Sequence, residues 1–298
     1  FGVMFAAAIL LSILFVFIST YYLVKPIRKL TRATHVIAEG KFDVPLDVTT
    51  KDEIGQLATS FSYMTAQLAK MEDVRREFIS NVSHDIQSPL SSIKGYTNLL
   101  AKDTLTNEDK KVYIDVINSE IQRLSNLTQQ LLQLTSIDQM QHLVKFEKVD
   151  FTALLHEMLH QHRWKIGQAG IMLRSQIEDI ELEADAVMLG TIVDNLLTNA
   201  TKYNRDGGSI EVIATNDGDK VRLEVKDSGI GMTDEQRQQI FKRFYRADDA
   251  RTQTVSGSGL GLSIVESMVQ LHNGIITVDS TLHSGTIFTV LLPKKQAK

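Results

Sequence analysis

Cysteine is absent from the 298 residues, and this absence limits the kinds of site that the chain can build. Without thiols there is neither a disulfide framework nor a thiolate metal site, and the composition fits a reducing cytoplasm. One HExxH spacing occurs among the eight histidines, from His156 to His160, and by itself it is weak evidence for a zinc hydrolase. The formal net charge of -4 gives no sign of nucleic-acid binding. Hydrophobic residues make up 43% of the chain, enough to bury a real core in two or three domains.

Charge is also absent from the first 24 residues. A helix of that length, at about 1.5 Å per residue, spans roughly 36 Å and can cross a bilayer core of about 30 Å. Tyr21 and Tyr22 close the apolar run, and a basic cluster begins at Lys25. The sequence therefore predicts a transmembrane helix over residues 1–24, with everything after it in the cytoplasm. A signal peptide would have a basic start, and a buried soluble helix is rarely so uniformly apolar. Because Phe1 rather than Met stands first, we also expect a fragment of a longer chain.

Two short helices are predicted after the span, one from Pro26 to Gly40 and one from Asp52, with an extended connector over residues 41–50. The second helix carries apolar residues three and four apart, as in a coiled-coil seam. These residues are Ile54, Leu57, Phe61, Met64, Leu68 and Met71. Together with Pro26 and the run from Asp52 to Gly55, the arrangement resembles a HAMP linker, which we assign to residues 25–74. A plain coiled coil is the alternative.

Two longer amphipathic helices are predicted over residues 75–102 and 107–138. Neither can bury its apolar stripe alone, so we expect a homodimer in which two copies form an antiparallel four-helix bundle over residues 75–142. From residue 143 to residue 298 helical and strand-like runs are mixed, which predicts an α+β sandwich with helices over one face of a mixed sheet. The predicted strands are 210–214, 221–226, 275–279 and 286–292, and the predicted helices are 151–167, 186–203 and 260–271.

The first candidate site lies around His84, which the helical phase places opposite the stripe of Ile79, Val82, Ile86, Leu90 and Ile93. A lone exposed histidine usually has no function, but Asp85 can take the proton of one ring nitrogen and leave the other as nucleophile. Ser88 lies one turn further on the same face, and Pro89 should bend the helix locally. The segment from Phe78 to Leu90 resembles the H-box of sensor histidine kinases, which implies that His84 is the phosphorylation site. It departs from the usual H-box at three positions, with Asp85 for Glu, Gln87 for Arg and Ser88 for Thr.

The second candidate site is spread over four short motifs between residues 195 and 261. Asn195, Asn199 and Lys202 share one helix face, where amide oxygen suits Mg²⁺ and ammonium suits phosphate. Asp227-Ser-Gly229-Ile-Gly231 follows a strand, and its carboxylate can accept a hydrogen bond from an adenine amino group. Phe241-Lys-Arg-Phe244-Tyr245 follows a helix, and the polar stretch after it, over residues 246–256, indicates a mobile lid. The glycines of Gly257-Ser-Gly259-Leu-Gly261 then open a helix, as at phosphate sites.

In this order the motifs resemble the nucleotide-binding boxes of the histidine kinase ATP-binding domain, and Ser284-Gly285-Thr286 resembles its last short motif. The resemblance implies that ATP and Mg²⁺ bind here, with Asn199 as metal ligand and Asn195 and Lys202 on the phosphates. It implies further roles for Tyr203 as a pocket residue, Asp227, Gly229 and Gly231 at adenine, Gly257, Gly259 and Gly261 on the phosphates, and Thr286 as a cofactor-binding residue.

The resemblance as a whole predicts a membrane-bound bacterial sensor histidine kinase, which phosphorylates His84 and passes the group to an aspartate of a response regulator. Phosphatase action on that regulator is expected as well. Two alternatives are an ATPase of the same wider fold and a catalytically inactive nucleotide-binding scaffold. The H-box and the apolar helix argue against the first, and the complete set of catalytic positions argues against the second.

Overall fold

The fold was analysed in a computed structural model, which describes residues 1–43, 52–102, 105–139, 144–246 and 258–296. The chain divides into two compact units, residues 1–83 and residues 84–298. The helices are α1 (Gly2–Ser19), α2 (Lys25–Ala38), α3 (Glu53–Leu100), α4 (Asn107–Gln139), α5 (Phe151–Gln168), α6 (Ala186–Lys202), α7 (Asp234–Arg237) and α8 (Gly261–Leu271). The strands are β1 (Glu147–Asp150), β2 (Met172–Ile177), β3 (Glu181–Ala184), β4 (Ser209–Asp217), β5 (Lys220–Asp227), β6 (Ile275–Thr281) and β7 (Gly285–Pro293).

The N-terminal helix continues beyond the predicted end of the membrane span. A π-helical turn, Thr20–Val24, joins α1 to α2, so that Gly2–Ala38 is one helical segment. Pro26 has no N–H to donate to the preceding turn, which gives a physical reason for the wider turn just before it. Among the described residues this segment is the one that is long and apolar enough to cross a membrane, and no residue of α1 is buried.

Helix α3 begins after Asp52, whose carboxylate accepts hydrogen bonds from Ile54 N and Gly55 N at 3.1 Å each. It continues without interruption to Leu100, through the predicted boundary between residues 74 and 75. Most of the predicted connector before it, from residue 44 on, lies outside the described residues.

In the second unit the sheet has five strands in the order β2-β4-β5-β7-β6, with β2 parallel to β4 and the other pairs antiparallel. The three central strands alternate buried and less buried side chains, which is the pattern of a sheet with one covered face. Helices α5, α6 and α8 pack against the sheet and one another. Fully buried Leu196 and Leu197 anchor α6 there, each worth about 1.5–3 kcal/mol of transfer free energy.

The predicted mixed sheet and the main helices are confirmed, but three strands were missed. They are β2, at the edge of the main sheet, and the antiparallel pair of β1 and β3. Strand β2 buries none of its side chains and β1 buries only Val149, so neither strand has the alternation by which sequence reveals a strand.

Candidate active site

The side chain of His84 is 83% exposed on α3, as its helical phase predicted. Its Nδ1 lies 3.4 Å from Oδ1 of Asp85, whose side chain is only 22% exposed. Because Nδ1 faces the carboxylate, the other ring nitrogen, Nε2, is the one left for an incoming electrophile. Ser88 is exposed one turn further on, and α3 continues as helix through Pro89, whose side chain is buried.

A cavity of about 480 Å³ lies in the second unit. One wall is the polar face of α6, where Asn195, Asn199 and Lys202 project as the sequence predicted. Asn195 is held by a 2.9 Å hydrogen bond from its Nδ2 to the carbonyl oxygen of Thr191. Lys202 Nζ donates to the hydroxyl of Tyr203 at 3.1 Å and lies 4.7 Å from the centre of that ring. The face is therefore partly preorganised by its own hydrogen bonds.

The opposite wall of this cavity was not predicted. It consists of Asp85 and of polar side chains of α4, namely Ser119, Gln122, Arg123, Asn126 and Gln130. On sequence alone these α4 residues are the solvated face of an amphipathic helix, because nothing in their spacing indicates a ligand. The structure thus brings the neighbour of His84 and the predicted phosphate-binding residues to one cavity. His84 itself does not line it.

A smaller cavity of about 90 Å³ adjoins the same helix. Asp227, Gly231 and Thr286 line it as predicted. Its remaining lining is largely apolar or aromatic, and of that set only Tyr203 was predicted to be a pocket residue. The other apolar members are Ile230, Met232, Ile240, Leu262 and Phe288. Tyr245, Arg246 and Asn199 complete the lining. A pocket with largely apolar and aromatic walls and a carboxylate suits a flat heteroaromatic ring that carries an amino group.

Burial raises the pKa of Asp227 from 3.8 to about 6, although backbone N–H groups of Gly229 and Thr286 hydrogen-bond to it and lower the pKa. The Gly229 N–H lies 2.8 Å from Oδ1. Thr286 is fixed from the other side by Ser280, whose hydroxyl lies 2.9 Å from the Thr286 hydroxyl. The carboxyl is therefore positioned for a donor at a cost in desolvation.

The glycines of these motifs meet neighbouring protein rather than only open cavity. A Cβ at Gly229 would collide with the carbonyl oxygen of Tyr203, and one at Gly259 would lie 2.6 Å from the carbonyl carbon of Phe244. Gly259 also has φ +69°, which favours glycine. Packing thus explains these two positions, a reason that sequence reasoning did not consider.

The predicted phosphate-binding loop is described only from Ser258 onward. Gly259 and Gly261 line the larger cavity, whereas Gly257 and most of the predicted lid lie outside the described residues. Helix α8 begins at Gly261 with no side-chain cap, and Gly261 and Leu262 of its first turn line the larger cavity. Ser258 Oγ donates to Oε1 of Gln130 on α4 at 2.6 Å, which joins the glycine motif to the opposite wall of the cavity.

Asn199 is the residue best placed for a metal ion. It lines both cavities, and its side chain makes no hydrogen bond within the described part of the chain. The described residues contain no cluster of three or more histidines and carboxylates that could hold a metal by themselves. This donor set fits Mg²⁺, which takes few protein oxygens and completes its shell with phosphates and water.

Protein-family models match three consecutive stretches of the chain. The HAMP domain matches residues 19–70, and the His Kinase A (phospho-acceptor) domain matches residues 74–139. The histidine kinase-, DNA gyrase B- and HSP90-like ATPase matches residues 184–296. These domains in this order define a sensor histidine kinase, and the chain belongs to that family.

Among curated relatives, the heme sensor protein HssS of Staphylococcus saprophyticus subsp. saprophyticus is 35% identical over 286 residues, which are 96% of this chain and 61% of that protein. The chain therefore spans about three fifths of that relative's length. A solved structure of full-length ShkA with AMPPNP is 26% identical, with a TM-score of 0.55, over 74% of this chain and 46% of that one. Histidine kinase ThkA in complex with response regulator TrrA has a TM-score of 0.63 at 24% identity, over 76% of this chain and 64% of that one, and this likeness shows the fold.

Proposed function

We propose that this chain binds ATP in the two adjoining cavities and transfers its γ-phosphoryl group to His84. The observation that carries the proposal is that Asp85, in contact with His84, lines the same cavity as Asn195, Asn199 and Lys202. The donor side and the acceptor side of a phosphoryl transfer thus meet at one cavity. The nucleotide analogue bound by ShkA, a relative 26% identical to this chain, supports the assignment of the ligand.

In the proposed complex the adenine ring occupies the smaller cavity and its amino group donates to Asp227, beside Gly229, Gly231 and Thr286. Tyr203 and Asn199 line both cavities, so the nucleotide passes them on its way to the larger one. There Asn195, Lys202 and the N-terminus of α8 with Gly259 and Gly261 hold the phosphates, and we extend this role to Gly257. Mg²⁺, held through Asn199, would offset charge on the phosphate oxygens.

The chemistry follows from the orientation of the histidine. Its Nδ1 carries a proton that Asp85 faces, so the lone pair is on Nε2 and can attack the γ-phosphorus. A bond forms between Nε2 and phosphorus, the bond from phosphorus to the β–γ bridging oxygen breaks, and ADP leaves. Asp85 takes or holds the Nδ1 proton as positive charge develops on the ring, and it thus acts as a general base.

The partners follow from surfaces that remain uncovered. Apolar side chains of α3 and α4, among them Leu90, Val112, Ile121 and Leu132, are exposed in the single chain. A second copy would cover them in a four-helix bundle, the antiparallel homodimer of residues 75–142. We further propose that a response regulator docks on this bundle and accepts the phosphoryl group on an aspartate, and that Ser88 positions water for the reverse, phosphatase reaction.

The same proposal assigns residues 1–24 to a bacterial cell membrane, residues 25–74 to a HAMP linker and residues 143–298 to a cytoplasmic catalytic domain. The apolar segment Gly2–Ala38 supports the membrane location by its length and composition.

The test is self-labelling of the chain in lipid nanodiscs with γ-labelled ATP and Mg²⁺. Wild type should take up an acid-labile, base-stable label, and His84→Gln should take up none while it melts at the wild-type temperature, since the side chain faces solvent. His156→Gln removes another exposed histidine, on α5, and should label normally. Retained acid-labile label on His84→Gln would refute the assignment.

A further inference from the structure

Arg123 is the one cation that the bundle contributes to the larger cavity among the described lining residues. The other cationic side chains of that lining, Lys202 and Arg246, come from the proposed catalytic domain of residues 143–298, called the nucleotide domain below. Asp85 stands on the bundle side and is the acidic residue of the described lining. A nucleoside triphosphate in this cavity would therefore have cationic side chains on both sides. On the side of His84 the cationic side chain is that of Arg123.

The guanidinium of Arg123 has one carboxylate neighbour, Glu120, and can bind a further anion. Its side chain is 35% exposed, and its nearest carboxylate is that of Glu120, with Nη1 to Oε2 at 3.7 Å. That separation is too long for a hydrogen bond, and Arg123 donates none within the described residues. Oε2 of Glu120 is itself buried without a hydrogen-bond partner there. A guanidinium has five N–H donors in a planar fork, which matches the geometry of phosphate oxygens.

We infer that Arg123 is a phosphate-binding residue that the bundle adds to the nucleotide domain's own set, and that it binds the γ-phosphoryl oxygens as the group passes to His84. This inference rests on the proposed function and deepens it. Lys202 and the start of α8 belong to the donor side and remain with ADP, whereas Arg123 belongs to the acceptor side with Asp85 and remains with the phosphohistidine. Because Arg123 contacts the nucleotide only when the nucleotide domain packs on α4, it contributes to the transfer step rather than to initial nucleotide binding.

The matched variants are Arg123→Gln, Arg123→Lys and Glu120→Gln. Loss of charge-assisted hydrogen bonds in Arg123→Gln should slow single-turnover labelling of His84 by about 10- to 100-fold. Its MgATP dissociation constant should stay within about twofold of wild type, given the nucleotide domain's own contacts. Arg123→Lys keeps the charge without the fork and should recover part of the rate. Glu120→Gln, which removes only the ion-pair partner, should label at about the wild-type rate.

A second readout needs no phosphoryl transfer. In hydrogen exchange on the full chain in nanodiscs, AMPPNP with Mg²⁺ should protect α4 near residues 119–127, whereas ADP, which lacks the γ-phosphate, should not. Arg123→Gln should lose the α4 protection and keep that of α6. If wild type fails to label His84, the proposed function fails, but this exchange difference still tests Arg123.

Three outcomes would overturn the inference. One is Arg123→Gln that labels within about twofold of wild type. Another is an equal loss in Glu120→Gln, which would mean that the ion pair supports helix packing. The third is α4 protection by ADP equal to that by AMPPNP. Melting curves of all variants distinguish these results from a folding defect.

Discussion

Asp227 offers a quantitative test, because its role in the site and its effect on stability oppose each other. Burial raises the pKa of its carboxyl to about 6, above the ordinary value of 3.8. The native state therefore holds this proton more tightly than the unfolded state. Its contribution to stability is fully present below about pH 3.8 and is lost as pH rises through about 6.

The magnitude follows from the size of the shift. About two pKa units correspond to roughly 3 kcal/mol of destabilisation once the carboxyl is ionised. The side chain remains partly exposed, so solvent screening reduces this to about 1–2 kcal/mol. Asp227→Asn should therefore stabilise the nucleotide-free domain by about that amount at pH 7.5 and by about half as much at pH 5, because the loss begins above the unfolded-state pKa of 3.8.

Nucleotide binding should move the other way. In wild type the affinity for MgATP should fall about tenfold between pH 7 and pH 5, because the ionised fraction of a group with pKa of about 6 falls from about 0.9 to about 0.1. In Asp227→Asn the affinity should be weaker by about tenfold at pH 7.5 and should not follow this titration, since one amide oxygen replaces a carboxylate shared with the Gly229 N–H.

The assay is hydrogen exchange of the slowest amides of β5, which reports the opening free energy of the sheet in the full chain. Titration with a fluorescent nucleotide at pH 5 and pH 7.5 gives the affinities. Asp206→Asn, at an exposed position, is the control and should change neither quantity. A variant Asp227→Asn that is less stable than wild type at pH 7.5, or equally stabilised at both pH values, would refute the reasoning.

Three further substitutions test separate roles. Asp85→Asn should slow labelling of His84 by about 10²- to 10⁴-fold with little loss of nucleotide affinity, and a near-normal single-turnover rate would exclude the base. Asn199→Ala should weaken nucleotide binding in the presence of Mg²⁺ but not in EDTA. If the variant and wild type bound nucleotide equally well with Mg²⁺, the Asn199 amide would not be a metal ligand. Ser88→Ala should slow dephosphorylation of the cognate regulator and largely spare self-labelling, and an equal loss of both rates would indicate a role in helix geometry beside Pro89.

The local features of this chain could be predicted because each depends on a short stretch of sequence. The apolar run predicted the candidate span, and alternation at Ile210, Val212 and Ala214 predicted β4, since those side chains face a covered side of the sheet. Helical phase alone placed His84 on the exposed face of α3. The spacing of Asn195, Asn199 and Lys202, four and three residues apart, likewise predicted the polar face of α6.

Strands without a buried face could not be predicted in this way. The edge strand β2 buries no side chain. It is a strand because it hydrogen-bonds to β4, where Met172 pairs with Ser209 much further along the chain. The π-helical turn before Pro26 was also missed. The sequence predicted that one helix ends near residue 24 and another begins at Pro26, whereas in the structure the helix continues through a wider turn there.

The shared cavity was decided by tertiary structure. Gln122, Arg123 and Gln130 have the pattern of a solvated helix face, and sequence gives no sign that another domain packs there. The bond from Ser258 to Gln130 joins residues 128 positions apart, so no local periodicity contains it. Sequence determined which chemical groups the chain carries and which way each faces on its own helix or strand. Only the packing of the nucleotide domain on α4 decided that Asp85 and Arg123 would face Asn199 and Lys202, because that arrangement depends on contacts between distant elements rather than on neighbours in the chain.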